Sequence, residues 1–186
     1  MIAEIYTHLS RLIAYPEKKE VLCAGSDAIS RHSREQGIPP ALASFAEFVA
    51  QSSLAAIQEE YVATFDFSPA VALYLGHHLY GDNQKKALYL INIKQEFRRY
   101  GFTPFSNELP DHFPLLLEFL AHLARHEGVD VRQAFISECV LPGMERLVAG
   151  FDSRKNSPWQ PVMKTCRLFC LTDATFREEV TPCRTL

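Results

Sequence analysis

The fold of this chain is decided by one stretch, Asn107-Glu-Leu-Pro-Asp-His-Phe-Pro-Leu-Leu-Leu-Glu-Phe-Leu-Ala-His-Leu-Ala124. It joins a polar loop to the most hydrophobic segment of the sequence, in which apolar residues recur at helical spacing. Leu115 and Phe119 widen the apolar stripe, which is typical of a helix surrounded by protein. The stretch therefore predicts a buried helix that opens onto a loop carrying Glu108, Asp111 and His112.

Two residues predict where this helix begins. Asp111 has the short acceptor side chain that is favoured at an N-cap. Pro114 has no N–H group, so it suits the first turn, where no intrahelical donor is needed. We therefore expect Asp111 to be the N-cap and the helix to end at Gly128.

Helical periodicity extends over almost every other segment, and no segment shows a convincing strand alternation. Pro69 is expected to open a short helix that Gly81 stops, and Gly101 is expected to end a long helix that begins at Asn83. A kink or break is expected at Pro142-Gly143. The sequence thus predicts an all-α, single-domain bundle of about eight to ten helices. This helical domain is expected to cover residues 1–175, with residues 176–186 as a flexible C-terminal tail.

Composition places the chain among ordinary globular proteins. It has 186 residues, of which 47% are hydrophobic and 22% charged, and its mean hydropathy is −0.08. No apolar run reaches the roughly 18 residues that cross a bilayer, and Met1-Ile-Ala-Glu-Ile-Tyr6 does not resemble a secretory signal. The five cysteines are an odd number without framework spacing, which favours a reducing compartment. We therefore expect a cytoplasmic protein without stable membrane insertion.

The net charge of −3 is unevenly distributed. Residues 54–118 carry five Lys and Arg against eight Asp and Glu, so the middle third is the acidic part. A nucleic-acid partner would require a basic footprint, which the sequence lacks. A basic or neutral partner fits the charge distribution better.

Cysteine and histidine pairs raise the question of a metal site. Cys166 and Cys170 lie one helical turn apart, but no second pair completes a zinc motif, and small buried hydrophobes are the simpler interpretation. His122 and His126 have a ligand-like i, i+4 spacing, yet Leu123 stands where the HExxH motif needs glutamate. A surface pair is the simpler interpretation here too.

Two polar groups remain as candidate sites. Asp111 and His112, with Glu108, could act as an acid–base group or as the lip of a binding groove, and no partner nucleophile is apparent. The rings of Tyr61 and Phe65, beside Asp66, form a second polar–aromatic group or simply belong to the core. No glycine-rich phosphate loop is present in the sequence.

Three stretches together resemble a known family: Glu60-Tyr-Val-Ala-Thr-Phe-Asp66, the segment from Leu73 to Gly81, and Glu108-Leu-Pro-Asp-His112 with the Leu-rich helix after it. They are similar to the NarJ-type nitrate reductase assembly chaperones, within the wider TorD/DmsD group of molybdoenzyme maturation proteins. The match follows most of residues 1–175 in order and spacing. Members of this branch often have a longer, polar C-terminal tail.

The resemblance implies an all-helical, cytoplasmic chaperone that is not an enzyme and has no cofactor of its own. Its client would be the apo catalytic subunit of a respiratory nitrate reductase, bound through that subunit's N-terminal segment. The chaperone would keep the client competent to receive the molybdenum cofactor and an iron–sulfur cluster before membrane docking, and cofactor-delivery proteins would be a further partner class. The implied client-binding residues are Tyr61, Phe65, Asp66, Glu108, Pro110, Asp111 and His112.

Together, the residues and the resemblance favour a client segment bound as an amphipathic helix between the two motif regions. Three alternatives stay open at this point. The client could be another molybdoenzyme of the same superfamily. The chain could be a hydrolase that uses Asp111 and His112, or a metal or cofactor carrier that uses His77, His78, His112 or His122.

Overall fold

The computed structural model describes residues 2–36 and 41–176. Within these residues every regular element is a helix, and the only β-type pairing is an isolated antiparallel bridge between Tyr74 and His112. The all-α prediction is confirmed. The helices are α1 Ile2–Ile13, α2 Lys19–Glu35, α3 Ala43–Gln51, α4 Leu54–Phe65, α5 Leu75–Tyr80, α6 Gln84–Arg99, α7 Phe113–His126, α8 Val129–Phe135, α9 Leu141–Gly150 and α10 Trp159–Thr175.

Helix α7 lies at the centre of the bundle, as its apolar stripe predicts. Its side chains are buried over most of its circumference, and it packs most extensively against α1. A polar contact joins the two helices, since Ser10 Oγ of α1 donates to the carbonyl of Pro114 over 2.9 Å. The position of α7 therefore fixes where the preceding loop emerges at the surface.

The start of α7 differs from the prediction at one residue. Pro114 lies in the first turn as expected, but the N-cap is His112, and no side-chain hydrogen bond caps the helix. Asp111 is therefore not the cap. Its carboxylate is engaged elsewhere, because Oδ2 accepts from the N–H of Gly76 over 2.9 Å.

The segment after α4 was expected to be one short helix from Pro69, and this prediction is wrong. The segment begins with a 3₁₀ turn, Pro69–Val71, continues through an extended Ala72–Tyr74, and only then enters α5. Its backbone pairs with the start of α7: Phe113 N donates to Leu73 O over 2.7 Å, and Leu75 N donates to Asp111 O over 3.1 Å. The sequence-distant loop supplies these bonds, so the local helical pattern does not decide the structure.

The end of α6 follows its sequence signal, whereas α7 ends at His126, two residues before the predicted Gly128. Gly101 has a φ of +65° directly after α6, which is the left-handed conformation predicted for a residue at C′. A kink or break was expected at Pro142-Gly143, but the irregularity lies before these residues: a π-helical turn, Ile136–Val140, joins α8 to α9. Pro142 then lies in the first turn of α9, where its missing N–H costs nothing.

One predicted feature, the C-terminal segment beyond Phe176, lies outside the described residues. The division into a domain and a tail therefore stays a prediction. None of the described helices is both long enough and apolar enough to cross a membrane.

Candidate functional site

Tyr74 contacts one of the two sequence stretches that were singled out as candidate sites. Its hydroxyl donates to Glu108 Oε2 over 2.7 Å. Its ring centroid lies 5.1 Å from that of His112, directly across the isolated bridge. Tyr74, Glu108 and His112 therefore form one polar cluster on the side of the bundle where α7 begins.

The first stretch lies beside this cluster. Burial raises the pKa of Tyr74 to about 12, with further contributions from the Glu108 hydrogen bond and from the charges of Asp111 and Asp66. Burial also raises the pKa of Tyr61, and the charges of Asp66 and Glu108 add to the effect. Since Asp66 and Glu108 act on the same two tyrosines, the ends of both stretches present negative charge around Tyr74.

His112 is held in its neutral form. Burial lowers the pKa of this half-buried imidazole, and the nearby Glu108 carboxylate opposes the shift only in part. At neutral pH the ring can therefore donate one hydrogen bond and accept another, but it does not contribute a full positive charge.

Asp111 is fully buried, with no exposed surface. One carboxylate oxygen accepts from Gly76 N, whereas Oδ1 has no hydrogen-bond partner. Burial raises the pKa of this carboxyl, although hydrogen bonding and the charges of Lys86 and His77 lower it in part. Asp111 therefore joins the loop to the start of α5, and in this structure a client cannot reach it directly.

Tyr61 and Phe65 belong to the core, as one of the two interpretations of these rings expected. They are only 5% and 3% exposed, and both pack against Trp159, with centroid distances of 5.3 and 5.7 Å. The Tyr61 hydroxyl donates to the carbonyl of Ile13 over 3.1 Å. Pro110 is buried as well, whereas Asp66 and Glu108 are exposed. Of the seven predicted residues, Asp66, Glu108 and His112 are thus the ones that present accessible surface.

Tyr74 was not among the predicted site residues, and it is the burial pattern in the structure, not the sequence, that singles it out. Val71, Leu73 and Leu75 are buried, whereas Ala72 and Tyr74 between them are half-buried. This alternation is the period of an extended segment. Because the sequence analysis assigned this stretch to a helix, it placed Tyr74 on the apolar face of that helix and not in a site.

A cavity of about 280 Å³ lies beside Glu108 and Pro110. Its wall includes Phe97 of α6 and Leu115 of α7, which are both almost fully buried. The loop between the two helices closes the third side with Phe102 and Pro104. The polar cluster therefore stands at the edge of an apolar hollow.

The histidine and cysteine pairs have structural partners. His78 Nε2 lies 2.7 Å from Ala72 O, and His122 Nε2 lies 2.7 Å from Tyr100 O. Cys166 and Cys170 are buried, and burial raises the pKa of both thiols. Among the described residues, no group of three or more His, Cys, Asp or Glu side chains is arranged to hold a metal ion.

A family model described as "Nitrate reductase delta subunit" matches residues 32–161, a range that includes both candidate stretches. Among curated proteins, the chain is 32% identical over 133 residues to a probable nitrate reductase molybdenum cofactor assembly chaperone NarJ from Bacillus subtilis. That alignment covers 71% of this chain and 72% of the relative.

Two further comparisons agree with this match. The chain is 34% identical over 73 residues to the nitrate reductase molybdenum cofactor assembly chaperone NarJ of Escherichia coli, covering 39% of this chain and 31% of that protein. The crystal structure of a putative redox enzyme maturation protein from Archaeoglobus fulgidus superposes with a TM-score of 0.59. That superposition covers 91% of this chain and 93% of the other at 18% identity, which shows a shared fold.

Proposed function

The chain belongs to the nitrate reductase delta subunit family, and from this premise we propose that it binds the N-terminal segment of the apo catalytic subunit of a respiratory nitrate reductase. Its relatives are assembly chaperones rather than enzymes, and this chain has the role of a chaperone. In the proposal, binding keeps the client competent for insertion of the molybdenum cofactor and of an iron–sulfur cluster. The work takes place in the cytoplasm, before the client docks at the membrane.

The observation that carries the proposal is the polar cluster at the edge of an apolar cavity. Glu108 is exposed and accepts from Tyr74, and the neutral His112 lies against the Tyr74 ring. A client helix can lay its apolar face into such a hollow and direct polar groups at the rim. The carboxylates of Asp66 and Glu108 favour a client segment that carries positive charge.

The seven residues that the resemblance implied divide into two roles in this proposal. Asp66, Glu108 and His112, together with Tyr74, contact the client. Tyr61, Phe65, Pro110 and Asp111 are buried and support the surface from below, since they hold α4, the extended segment and the loop in place.

The proposal is tested by isothermal titration of the full chain with a synthetic peptide of the client's N-terminal segment. We expect Glu108→Gln and His112→Ala each to weaken binding by about tenfold, because each variant loses an interaction with the client worth about 1.4 kcal/mol. Glu20→Gln is the matched control, since Glu20 is an exposed carboxylate of α2 outside the cluster.

Failure of the wild-type chain to bind the peptide would contradict the proposed function. Equal affinities for Glu108→Gln, His112→Ala and Glu20→Gln would show that the polar cluster does not contribute to peptide binding. The chaperone role would not be contradicted by that result. Thermal unfolding of each variant distinguishes a lost contact from a lost fold.

A further inference from the structure

The cavity between α6 and α7 has a size that fits side chains. At about 280 Å³ it falls just below the roughly 300–1,000 Å³ of most small-molecule sites. Phe97, Phe102, Pro104, Pro110 and Leu115 supply apolar atoms to its wall. One or two apolar side chains of a partner would fill this volume.

The rim of this cavity carries both signs of charge on different elements. Lys94 and Arg98 line it from α6, where they lie one helical turn apart and are exposed. Within the described part of the chain, neither side chain forms a hydrogen bond or an ion pair. Glu108 lines the cavity from the loop and is held by Tyr74. The α6 side of the rim is therefore cationic and the loop side anionic.

The positive charge on the α6 side of the rim is opposite to the net charge of the segment that contains it. Residues 54–118 are acidic on average, which by itself predicts a basic or neutral partner. The two unpaired cations at the rim instead favour an acidic group in the partner. A partner of mixed charge fits the surface better than a purely basic one.

On the basis of the proposed function, we infer that this cavity binds an apolar anchor side chain of the client helix. The rim of the cavity then pairs with one charged client residue on each side of that anchor. An acidic client residue pairs with Lys94 and Arg98, and a basic client residue pairs with Glu108. The apolar anchor supplies most of the affinity, as buried anchors do in other interfaces. The charges fix the direction in which the helix lies across the rim and discriminate against segments with the opposite order.

The inference is tested by titrating the full chain with the client's N-terminal peptide at low and high salt. At low salt we expect the double variant Lys94→Glu/Arg98→Glu to bind about tenfold more weakly than wild type, because two attractive charge interactions become repulsive. This loss of affinity should become smaller at high salt, because salt screens the charges. Lys85→Glu, at the other end of α6, is the matched control and should change affinity by less than about twofold.

A charge-swap peptide series makes the test specific. Each acidic residue of the client peptide is replaced in turn by lysine, and one such peptide should bind the double variant more tightly than it binds the wild-type chain. Provided that wild type binds the native peptide, two outcomes would contradict the inferred charge pairing while the proposed function stands. In the first, the double variant binds the native peptide as tightly as wild type does. In the second, no swapped peptide restores affinity to the double variant. If wild type does not bind the native peptide at all, the proposed function fails and the inference fails with it.

Discussion

At the scale of single residues, Asp111 shows how a motif position can be structural. Its carboxylate is fully buried and bonds the N–H of Gly76, thirty-five positions away in the sequence. There is little room around this contact, since a Cβ on Gly76 would lie 2.8 Å from Asp111 Oδ2. Asp111 thus positions the loop that carries Glu108 and His112, and its replacement changes stability before it changes any contact with a client.

Two substitutions separate the hydrogen bond of Asp111 from its charge. Asp111→Ala leaves the buried Gly76 N–H without an acceptor and should lower the free energy of unfolding by about 1–3 kcal/mol. Asp111→Asn keeps an acceptor and should stay within about 1 kcal/mol of wild type at neutral pH. Urea denaturation followed by far-UV circular dichroism measures both. Equal losses for the two variants would show that the hydrogen bond does not matter.

The pH dependence of the Asn variant tests the buried charge. Burial raises the pKa of Asp111, so the folded protein holds this proton more tightly than the unfolded chain does. The contribution of this carboxyl to the free energy of unfolding of the wild-type protein therefore falls as the pH rises from about 4 towards neutrality. Asp111→Asn has no such group, so its stability relative to wild type should increase over the same range. A difference that does not change between pH 4 and pH 7 would contradict this account.

At the scale of elements, α9 explains why the segment from Pro69 to Gly76 has its unusual path. Gly143 and Gly150 lie two turns apart on α9, and both meet this segment closely. A Cβ on Gly143 would lie 2.8 Å from Leu75 Cβ and 3.0 Å from Leu75 O. The close approach holds the start of α5, and with it Tyr74, against the bundle.

A comparison of two helical glycines tests this packing. Gly143→Ala should lower the free energy of unfolding by about 1–3 kcal/mol through overpacking against backbone, even though alanine favours a helix by about 1 kcal/mol. Gly25→Ala is the control, because its nearest neighbour is the side chain of Leu12 at 3.0 Å, which can shift. We expect the control to change stability by less than about 1 kcal/mol. Similar values for both would show that α9 tolerates a larger separation from Leu75.

At the scale of the whole molecule, a buried ion pair ties together both ends of the described chain. Arg132 of α8 donates two hydrogen bonds to Asp173 of α10, over 2.7 and 2.9 Å. Tyr6 of α1 donates to the same carboxylate over 2.6 Å. Three helices that are far apart in sequence therefore meet at one charge, which is satisfied only when all three are in place.

Removing one partner of this pair should be costly. Arg132→Met leaves the buried Asp173 carboxylate without its cation and should lower the free energy of unfolding by about 3–5 kcal/mol. Arg167→Met is the control, since Arg167 pairs with Glu145 at the surface, where the side chains are 39% and 44% exposed. An exposed pair of this kind contributes only about 0–1 kcal/mol. Denaturation curves that shift equally for the two variants would contradict the role given to the buried pair.

The sequence by itself determined the class of fold and the position of its central helix. The helical period, the apolar width of α7 and the glycine after α6 are local signals, and the structure follows each of them. The resemblance in three stretches also led to the correct family. It could not show which residues of those stretches reach the surface, because burial depends on what packs against them.

Only the tertiary structure decided how the candidate site is assembled. Asp111 looks like a cap in sequence, yet Gly76 supplies a buried N–H for it, and His112 takes the N-cap position instead. Tyr74 looks like part of a helical face, yet the start of α7 draws its segment into an extended bridge. In both cases a partner from a distant part of the chain satisfies a backbone group that local structure would otherwise have used. Local spacing cannot reveal that choice, because a hydrogen-bonding group in the folded chain pairs with whatever the packed elements bring within its reach.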